Sequence, residues 1–91
     1  MPYFVYILLS LKDSRLYVGC TTDVENRLIR HNSGNVPATK NRLPLELIRQ
    51  EKFSDKADAF NRERFLKSLW GSREKKEILN KYKQSRAGHN G

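Results

Sequence analysis

The chain opens with an unbroken apolar segment, residues 3–9, in which every side chain is aromatic or aliphatic. A continuous run of this length, rich in aromatic and β-branched residues, is typical of a strand buried on both faces. Turn-forming residues follow around Asp13, and residues 16–20 then predict a second strand. The two strands and their turn predict a β-hairpin.

A polar–apolar pattern with helical spacing follows the hairpin and predicts a helix over residues 23–32. Thr22 and Glu25 have the spacing of a capping box, with Thr22 as N-cap, and Gly34 is placed to end the helix. A polar stretch from residue 32 to 44 carries Gly34, Pro37 and Pro44. A loop of this length is often functional.

The second half of the chain predicts one more strand and two helices. Alternating residues over 45–53 favour a half-exposed strand, and Ser54 and Asp55 cap a helix running to about residue 69. Gly71 and Ser72 interrupt that helix before a third helix over residues 73–82. Its inward-facing residues are Ile78, Leu79 and Tyr82.

The order β-β-α-β-α-α predicts an α+β fold in which three helices cover one three-stranded sheet. We expect one domain over residues 1–82, because the length suits a single domain and no internal repeat is present. Residues 83–91 contain almost no apolar side chains and should form a flexible basic tail.

The net charge of +8 favours a polyanionic partner, because neutralised phosphates release counterions on binding. The alternative is a basic surface that serves only solubility. Cys20 has no partner in the chain, which fits a cytoplasmic location, and its place in a strand favours a small packing residue over a nucleophile. No segment resembles a signal peptide or a membrane span, so no membrane partner is expected.

The sequence lacks a glycine-rich phosphate loop, a zinc-type Cys/His cluster and a Ser-His-Asp set. Chemistry could instead come from a scattered group of side chains in the hairpin and the first two helices. They are Tyr6, Tyr17, Arg27, His31 and Glu63.

In the first helix, Val24, Arg27, Leu28 and His31 share one face. Because the apolar members must meet the sheet, Arg27 and His31 should lie beside the core. Alternatively, both could flank the apolar stripe and extend to solvent.

In the second helix, Glu63 shares a face with Ala59, Leu66 and Trp70. A carboxylate facing inward needs a cation, a hydrogen-bond donor or a metal. The alternative is an ordinary helix ion pair with Lys67, four residues later.

Tyr6 and Tyr17 lie on the two hairpin strands and are most simply packing residues. An even number of loop residues would pair them directly on one face, whereas an odd number would turn Tyr17 away. The sequence does not decide between these registers.

The segments around these residues resemble the GIY-YIG nuclease family. Phe4-Val5-Tyr6 and Tyr17-Val18-Gly19 are similar to its two signature tripeptides, with Phe4 in place of glycine and Val18 in place of isoleucine. Residues 26–31 are similar to its arginine–histidine helix and residues 59–69 to its glutamate helix. The resemblance covers residues 3–82 and is greatest to small standalone bacterial members. The loop lacks a tyrosine expected next to Thr39, and Asn80 is a loose match to an asparagine of some members.

The resemblance implies an endonuclease that hydrolyses phosphodiester bonds. Glu63 would bind Mg²⁺ or Mn²⁺, Arg27 would hold the phosphate, Tyr6 or Tyr17 would act as general base, and His31 would assist proton transfer. The identity of the base stays open. Basic side chains would contact further phosphates, and the candidates are Lys40, Arg42, Arg73, Lys75 and Lys76.

We therefore expect a monomeric nuclease acting on DNA more than RNA, with a role in DNA repair or recombination. A targeting protein is a further candidate partner. One alternative is a DNA- or RNA-binding module that keeps the fold without useful turnover. Another is a protein-interaction domain whose charge serves solubility.

Overall fold

The strands and helices follow the predicted order in the computed structural model, which describes residues 1–88. The strands are β1 (Tyr3–Ser10), β2 (Leu16–Thr21) and β3 (Leu45–Phe53). The helices are α1 (Val24–Asn32), α2 (Lys56–Lys67) and α3 (Ser72–Gly88), and a 3₁₀ turn over Leu69–Gly71 joins the last two. The predicted α+β fold, a three-stranded sheet with three helices, is confirmed.

β1 lies at the centre of the sheet, between β2 and β3, and both pairings are antiparallel. One face of β1 contributes Val5 and Ile7 to a core with residues of α2 and α3. Its other face contributes Tyr6 and Leu8 to a second cluster that includes Leu28 of α1. A strand buried on both sides explains the unbroken apolar segment at the start of the chain.

The start of α1 differs from the prediction. Asp23, and not Thr22, is the N-cap: its carboxylate accepts a hydrogen bond from the Asn26 backbone N–H at 3.1 Å. The capping box with Glu25 is therefore wrong. Thr21 accepts a hydrogen bond from the Asp23 backbone N–H at 3.1 Å, which helps to hold Asp23 at the helix start. A carboxylate there also complements the helix dipole.

The end of α1 agrees with the prediction. Gly34 has a φ of 82°, and its N–H donates to the His31 carbonyl at 3.1 Å. The Asn35 N–H donates to the Arg30 carbonyl at 3.3 Å, which completes a Schellman motif. Asn32 then binds both backbone groups of Leu45, at 3.0 and 2.8 Å, and so fixes α1 to the start of β3.

α3 continues to Gly88, so the predicted end at Tyr82 is wrong. Arg86 lies one turn beyond Tyr82, donates to its hydroxyl at 3.3 Å and pairs with Glu46 of β3 at 3.0 Å. These contacts support helical turns that the sparse apolar pattern did not predict. The flexibility of residues 83–91 stays a prediction, and residues 89–91 lie outside the described part of the chain.

Trp70 does not face inward beside Glu63, contrary to the prediction. α2 ends at Lys67, and the 3₁₀ turn that follows breaks the helical spacing on which that prediction rested. The Trp70 residue is 83% exposed, whereas Ala59 and Leu66 are fully buried as predicted.

Within residues 1–88, no helix has the length and apolar character needed to cross a membrane.

Candidate active site

A chain of hydrogen bonds joins three elements on the α1 face of the sheet. The Tyr6 hydroxyl of β1 lies 3.0 Å from Nε2 of His31 in α1. Nδ1 of the same ring lies 2.7 Å from the hydroxyl of Thr39, in the loop between α1 and β3. All three side chains are buried. His31 therefore lies beside the core, and the alternative of a solvent-directed ring is wrong.

Tyr17 lies on the same face as Tyr6 but does not pair with it directly. Tyr6 is opposite Gly19, and Tyr17 is opposite Leu8. Six residues separate the paired Leu9 and Leu16. Because this number is even, both tyrosines lie on one face of the hairpin. The pairing is shifted by two residues from the register that would place Tyr17 opposite Tyr6. The ring centroids lie 6.4 Å apart, and the Tyr17 ring lies 5.0 Å from that of His31.

Gly19 is required because the Tyr6 ring crosses its backbone. A Cβ atom at Gly19 would collide with the end of the Tyr6 phenol. The ring cannot move away easily, since it is buried and bonded to His31. The glycine of the second tripeptide thus provides space for the tyrosine of the first.

We expect Gly19→Ala to lower the free energy of unfolding by about 1–3 kcal/mol, the usual cost of overpacking a core. Urea denaturation of the variant and the wild type measures this difference. Equal stability in the two proteins would show that Tyr6 can shift at no cost, and would contradict the proposed steric role.

Burial shifts the pKa values of Tyr6 and His31 in opposite directions. Burial, with the nearby Tyr17, raises the pKa of Tyr6 to about 12. Burial and the positive charge of Arg27 lower the pKa of His31. His31 is therefore neutral at pH 7, so one ring nitrogen donates a hydrogen bond and the other accepts one. If Nδ1 donates to Thr39, Nε2 accepts the Tyr6 proton; the other tautomer reverses both bonds.

The lowered pKa of His31 predicts a loss of stability in mild acid. Unfolded His31 takes up a proton near pH 6.5, whereas the folded state resists it, so stability falls as the pH drops below about 6.5. The slope is at most about 1.4 kcal/mol per pH unit. Thermal or urea unfolding between pH 5 and 7.5 measures it.

A His31→Gln variant provides the control and should lose most of this dependence. Three carboxyl groups with lowered pKa values, those of Asp13, Glu51 and Glu74, also lose stabilisation near and below about pH 4.5, but both proteins contain them, so their effect cancels in the comparison. An equal slope in both proteins would assign the effect to another group.

Arg27 is half-buried on the α1 face that meets the sheet. Its charge lowers the pKa of both Tyr6 and His31, so it acts electrostatically on both rings.

Thr39 was not predicted as a functional residue. The sequence offered only a weak signal for it, since Thr39 is a single threonine in a polar loop. In the fold, the Thr39 side chain is completely buried.

Glu63 lies on α2, which packs on the other face of the sheet. Its carboxylate pairs with Lys67 at 2.9 Å, and its side chain is only 13% exposed. The helix ion pair considered from the sequence is therefore present. Lys67 also lies 6.0 Å from the centre of the Tyr17 ring. Tyr6 and Tyr17 form a tyrosine cluster on the other face of the sheet. Because β2 is an edge strand, Lys67 of α2 can reach Tyr17 of this cluster around the edge.

Glu63 also lines a pocket of about 310 Å³. A partly buried carboxylate facing an open pocket fits Mg²⁺, which takes few carboxylates and keeps several waters. Among residues 1–88, no three His, Cys, Asp or Glu side chains are grouped as a ligand set. The other residues that line the pocket are Tyr3, Cys20, Thr21, Thr22, Lys56 and Phe60.

Cys20 is half-buried and packs against the core, and burial raises the pKa of its thiol. A raised pKa disfavours the thiolate, in agreement with the predicted packing role.

The residues predicted to contact further phosphates are spread over the loop and α3. Lys40, Arg73 and Lys76 are exposed, and Lys75 is half-buried. Arg42 instead pairs with Asp13 at 3.3 Å, which fixes the long loop to the hairpin turn. The loosely matched Asn80 is exposed on α3.

Comparison with known proteins agrees with this arrangement. A family model described as the GIY-YIG catalytic domain matches residues 2–84. The UPF0213 protein NP_0776A of Natronomonas pharaonis is 45% identical over 78 residues, which are 85% of this chain and 88% of that protein. The UPF0213 protein SSP2268 of Staphylococcus saprophyticus is 41% identical, over 81% of this chain and 88% of that protein.

A solution NMR structure of the UPF0213 protein BH0048 from Bacillus halodurans has the same fold. Its TM-score is 0.52 at 35% identity, covering 88% of this chain and 84% of that one. The names of these relatives specify no substrate or reaction. The match of the family model over nearly the whole chain means that this chain belongs to the GIY-YIG catalytic domain family.

Proposed function

We propose that this protein is a metal-dependent endonuclease that hydrolyses phosphodiester bonds, with DNA as the favoured substrate. The observation that carries the proposal is the position of Lys67, the partner of Glu63, whose ammonium lies 6.0 Å from the centre of the Tyr17 ring. The hydrogen-bonded Tyr6 and His31, with Tyr17 beside them, come from one face of the sheet. The Glu63–Lys67 pair comes from α2 on the other.

Tyr17 is the better placed general base. Tyr6 is only 2% exposed, its hydroxyl is engaged by His31, and its pKa is raised to about 12. Tyr17 is only half-buried, so it is more accessible to a water molecule than Tyr6. In this proposal the Tyr17 phenol first gives its proton to solvent. The water oxygen then attacks phosphorus and passes its proton to the resulting phenolate, and the bond to the leaving oxygen breaks, so that this oxygen departs with the electron pair. Tyr6 and His31 position the Tyr17 ring.

Positive charge in the site would bind the phosphate. Arg27 offers a planar guanidinium that can donate two hydrogen bonds to phosphate oxygens, and Lys67 adds a second cation beside Tyr17. Glu63 would hold the metal through one carboxylate. A bound Mg²⁺ would polarise the phosphate and stabilise the negative charge of the leaving oxygen.

The Glu63–Lys67 pair supports a second candidate function. If Lys67 neutralises Glu63 permanently, the site binds phosphate without activating it, and the protein is a DNA- or RNA-binding module. The two functions differ in one respect: only the nuclease needs Glu63 to exchange Lys67 for a metal ion.

The test compares binding and cleavage of single-stranded, duplex and branched DNA and of RNA at low salt. Binding is measured in EDTA and cleavage in Mg²⁺ or Mn²⁺. Cleavage that requires the metal supports the endonuclease and identifies its preferred substrate. Tight binding with no cleavage of any substrate would favour the binding module. The absence of binding at about 50 mM salt would contradict both, because phosphate contacts are strongest there.

A further inference from the structure

Two large apolar side chains lie exposed on the 3₁₀ turn between α2 and α3. Leu69 is 89% exposed and Trp70 is 83% exposed. Neither belongs to a core cluster, and the catalytic arrangement above does not use them. We call these two residues the Leu69–Trp70 platform.

The turn that presents the platform is held tightly. Gly71 is buried, and a Cβ atom there would collide with the backbone of Phe65 and Leu66. The Gly71 N–H donates to the Ser68 carbonyl at 3.1 Å, and the Ser72 hydroxyl donates to the Leu69 carbonyl at 2.6 Å. The exposure of Trp70 is therefore built into the backbone of the turn.

The surroundings of the platform are strongly basic. Between residues 64 and 76 the chain carries five basic side chains and one acidic side chain, Glu74, which is paired with Arg62. Lys67 is paired with Glu63, and the other four basic side chains are Arg64, Arg73, Lys75 and Lys76. An aromatic ring among cations is the combination with which proteins hold single-stranded nucleic acid: the ring stacks on a base while the cations contact phosphates.

The platform is also directly connected to the proposed active site. Leu69 comes two residues after Lys67, the last residue of α2, whose ammonium pairs with Glu63 and lies 6.0 Å from the centre of the Tyr17 ring. We propose that Trp70 stacks on an unpaired nucleobase of the strand whose phosphate lies at Tyr17 and Glu63. This inference rests on the proposed function and narrows its substrate to nucleic acid with an unpaired base near the cleaved bond.

A second copy of the chain fits the platform less well. Two side chains present about 400 Å² at most, whereas each partner in a stable protein interface buries about 800 Å². A single nucleobase is a ligand of matching size and fits the positive surroundings.

Trp70 is the only tryptophan of the chain, so its intrinsic fluorescence reports on this residue alone. The experiment titrates a single-stranded DNA oligonucleotide in EDTA, so that no cleavage occurs, and follows the fluorescence. A matched oligonucleotide with abasic sites keeps the phosphates and removes the bases. We expect strong quenching by the normal strand and little by the abasic strand.

Trp70→Ala should weaken binding of the single strand by about ten-fold, in the range of one stacked base, and leave the salt dependence unchanged. Ile29→Ala, which removes an exposed apolar side chain from α1, is the control and should bind like the wild type. Arg73→Ala should instead lower the salt dependence, because it removes a charge.

Three results would overturn the inference: equal quenching by both strands, binding without quenching, or a fluorescence change that depends on protein concentration alone. The last would assign the platform to a second copy. Parallel cleavage assays in Mg²⁺ separate this inference from the proposed function. Cleavage without quenching refutes only the platform, whereas quenching without cleavage refutes only the nuclease.

Discussion

Replacing Glu63 with glutamine is expected to lower metal-dependent cleavage by about a thousand-fold, since electrostatic support of the phosphate and leaving group is worth several kcal/mol. The amide has the size of the carboxylate but lacks its charge, so it binds Mg²⁺ poorly. The fold should be unaffected, because a helix ion pair with Lys67 contributes only about 0.2–0.5 kcal/mol.

The measurements are the single-turnover cleavage rate and the affinity for Mn²⁺, each determined for the wild type and for Glu63→Gln. Glu46→Gln is the matched control. It removes a carboxylate of β3, at the opposite edge of the sheet, that pairs with Arg86 of α3. The control should keep full activity. Equal rates for wild type and Glu63→Gln would remove Glu63 from the site and make its pair with Lys67 a purely structural contact.

The second large effect is expected at Tyr17. Tyr17→Phe keeps the ring that packs against His31 and removes the proposed base, so cleavage should fall by about 10²–10⁴-fold, the usual contribution of general base catalysis. Tyr6→Phe should have a smaller effect on the rate. It should cost about 1–3 kcal/mol of stability, because it leaves a buried histidine nitrogen without its partner.

These two variants separate a catalytic from a positioning tyrosine. The measurements are single-turnover rates and urea denaturation, with Tyr82→Phe on α3 as a control that removes a hydroxyl away from the tyrosine cluster. A larger rate loss in Tyr6→Phe than in Tyr17→Phe would reverse the assignment and make the buried tyrosine the base.

Local patterns predicted most of the architecture. Several short-range patterns agree with the observed elements. They are the apolar run of β1, the alternation of β3 and the positions of Gly34 and Gly71 at helix ends. The errors arise where contacts lie outside the local pattern. Asp23 replaces Thr22 as N-cap in a turn that also involves Thr21, and α3 continues past Tyr82, where Arg86 pairs with Glu46, forty residues away in the sequence.

The candidate site was only partly predictable, because its geometry depends on how distant segments meet. Helical spacing allowed His31 to lie beside the sheet but left a solvent-directed ring open, and nothing in the pattern indicated that Thr39 would bond its second ring nitrogen. The diagonal position of Tyr17 depends on the length of the hairpin connection. The approach of Lys67 to Tyr17 depends on β2 being the edge strand, which the order of elements alone does not fix.

The most direct test of the proposed function follows one preformed complex over time. The wild-type protein is bound to an end-labelled DNA carrying unpaired bases in EDTA at low salt, and excess Mg²⁺ is then added. We expect the bound strand to be cut after Mg²⁺ addition, and the complex with Glu63→Gln to stay intact. If the wild-type complex also stays intact, with the DNA still bound, the protein binds nucleic acid without hydrolysing it and the proposed nuclease function is wrong.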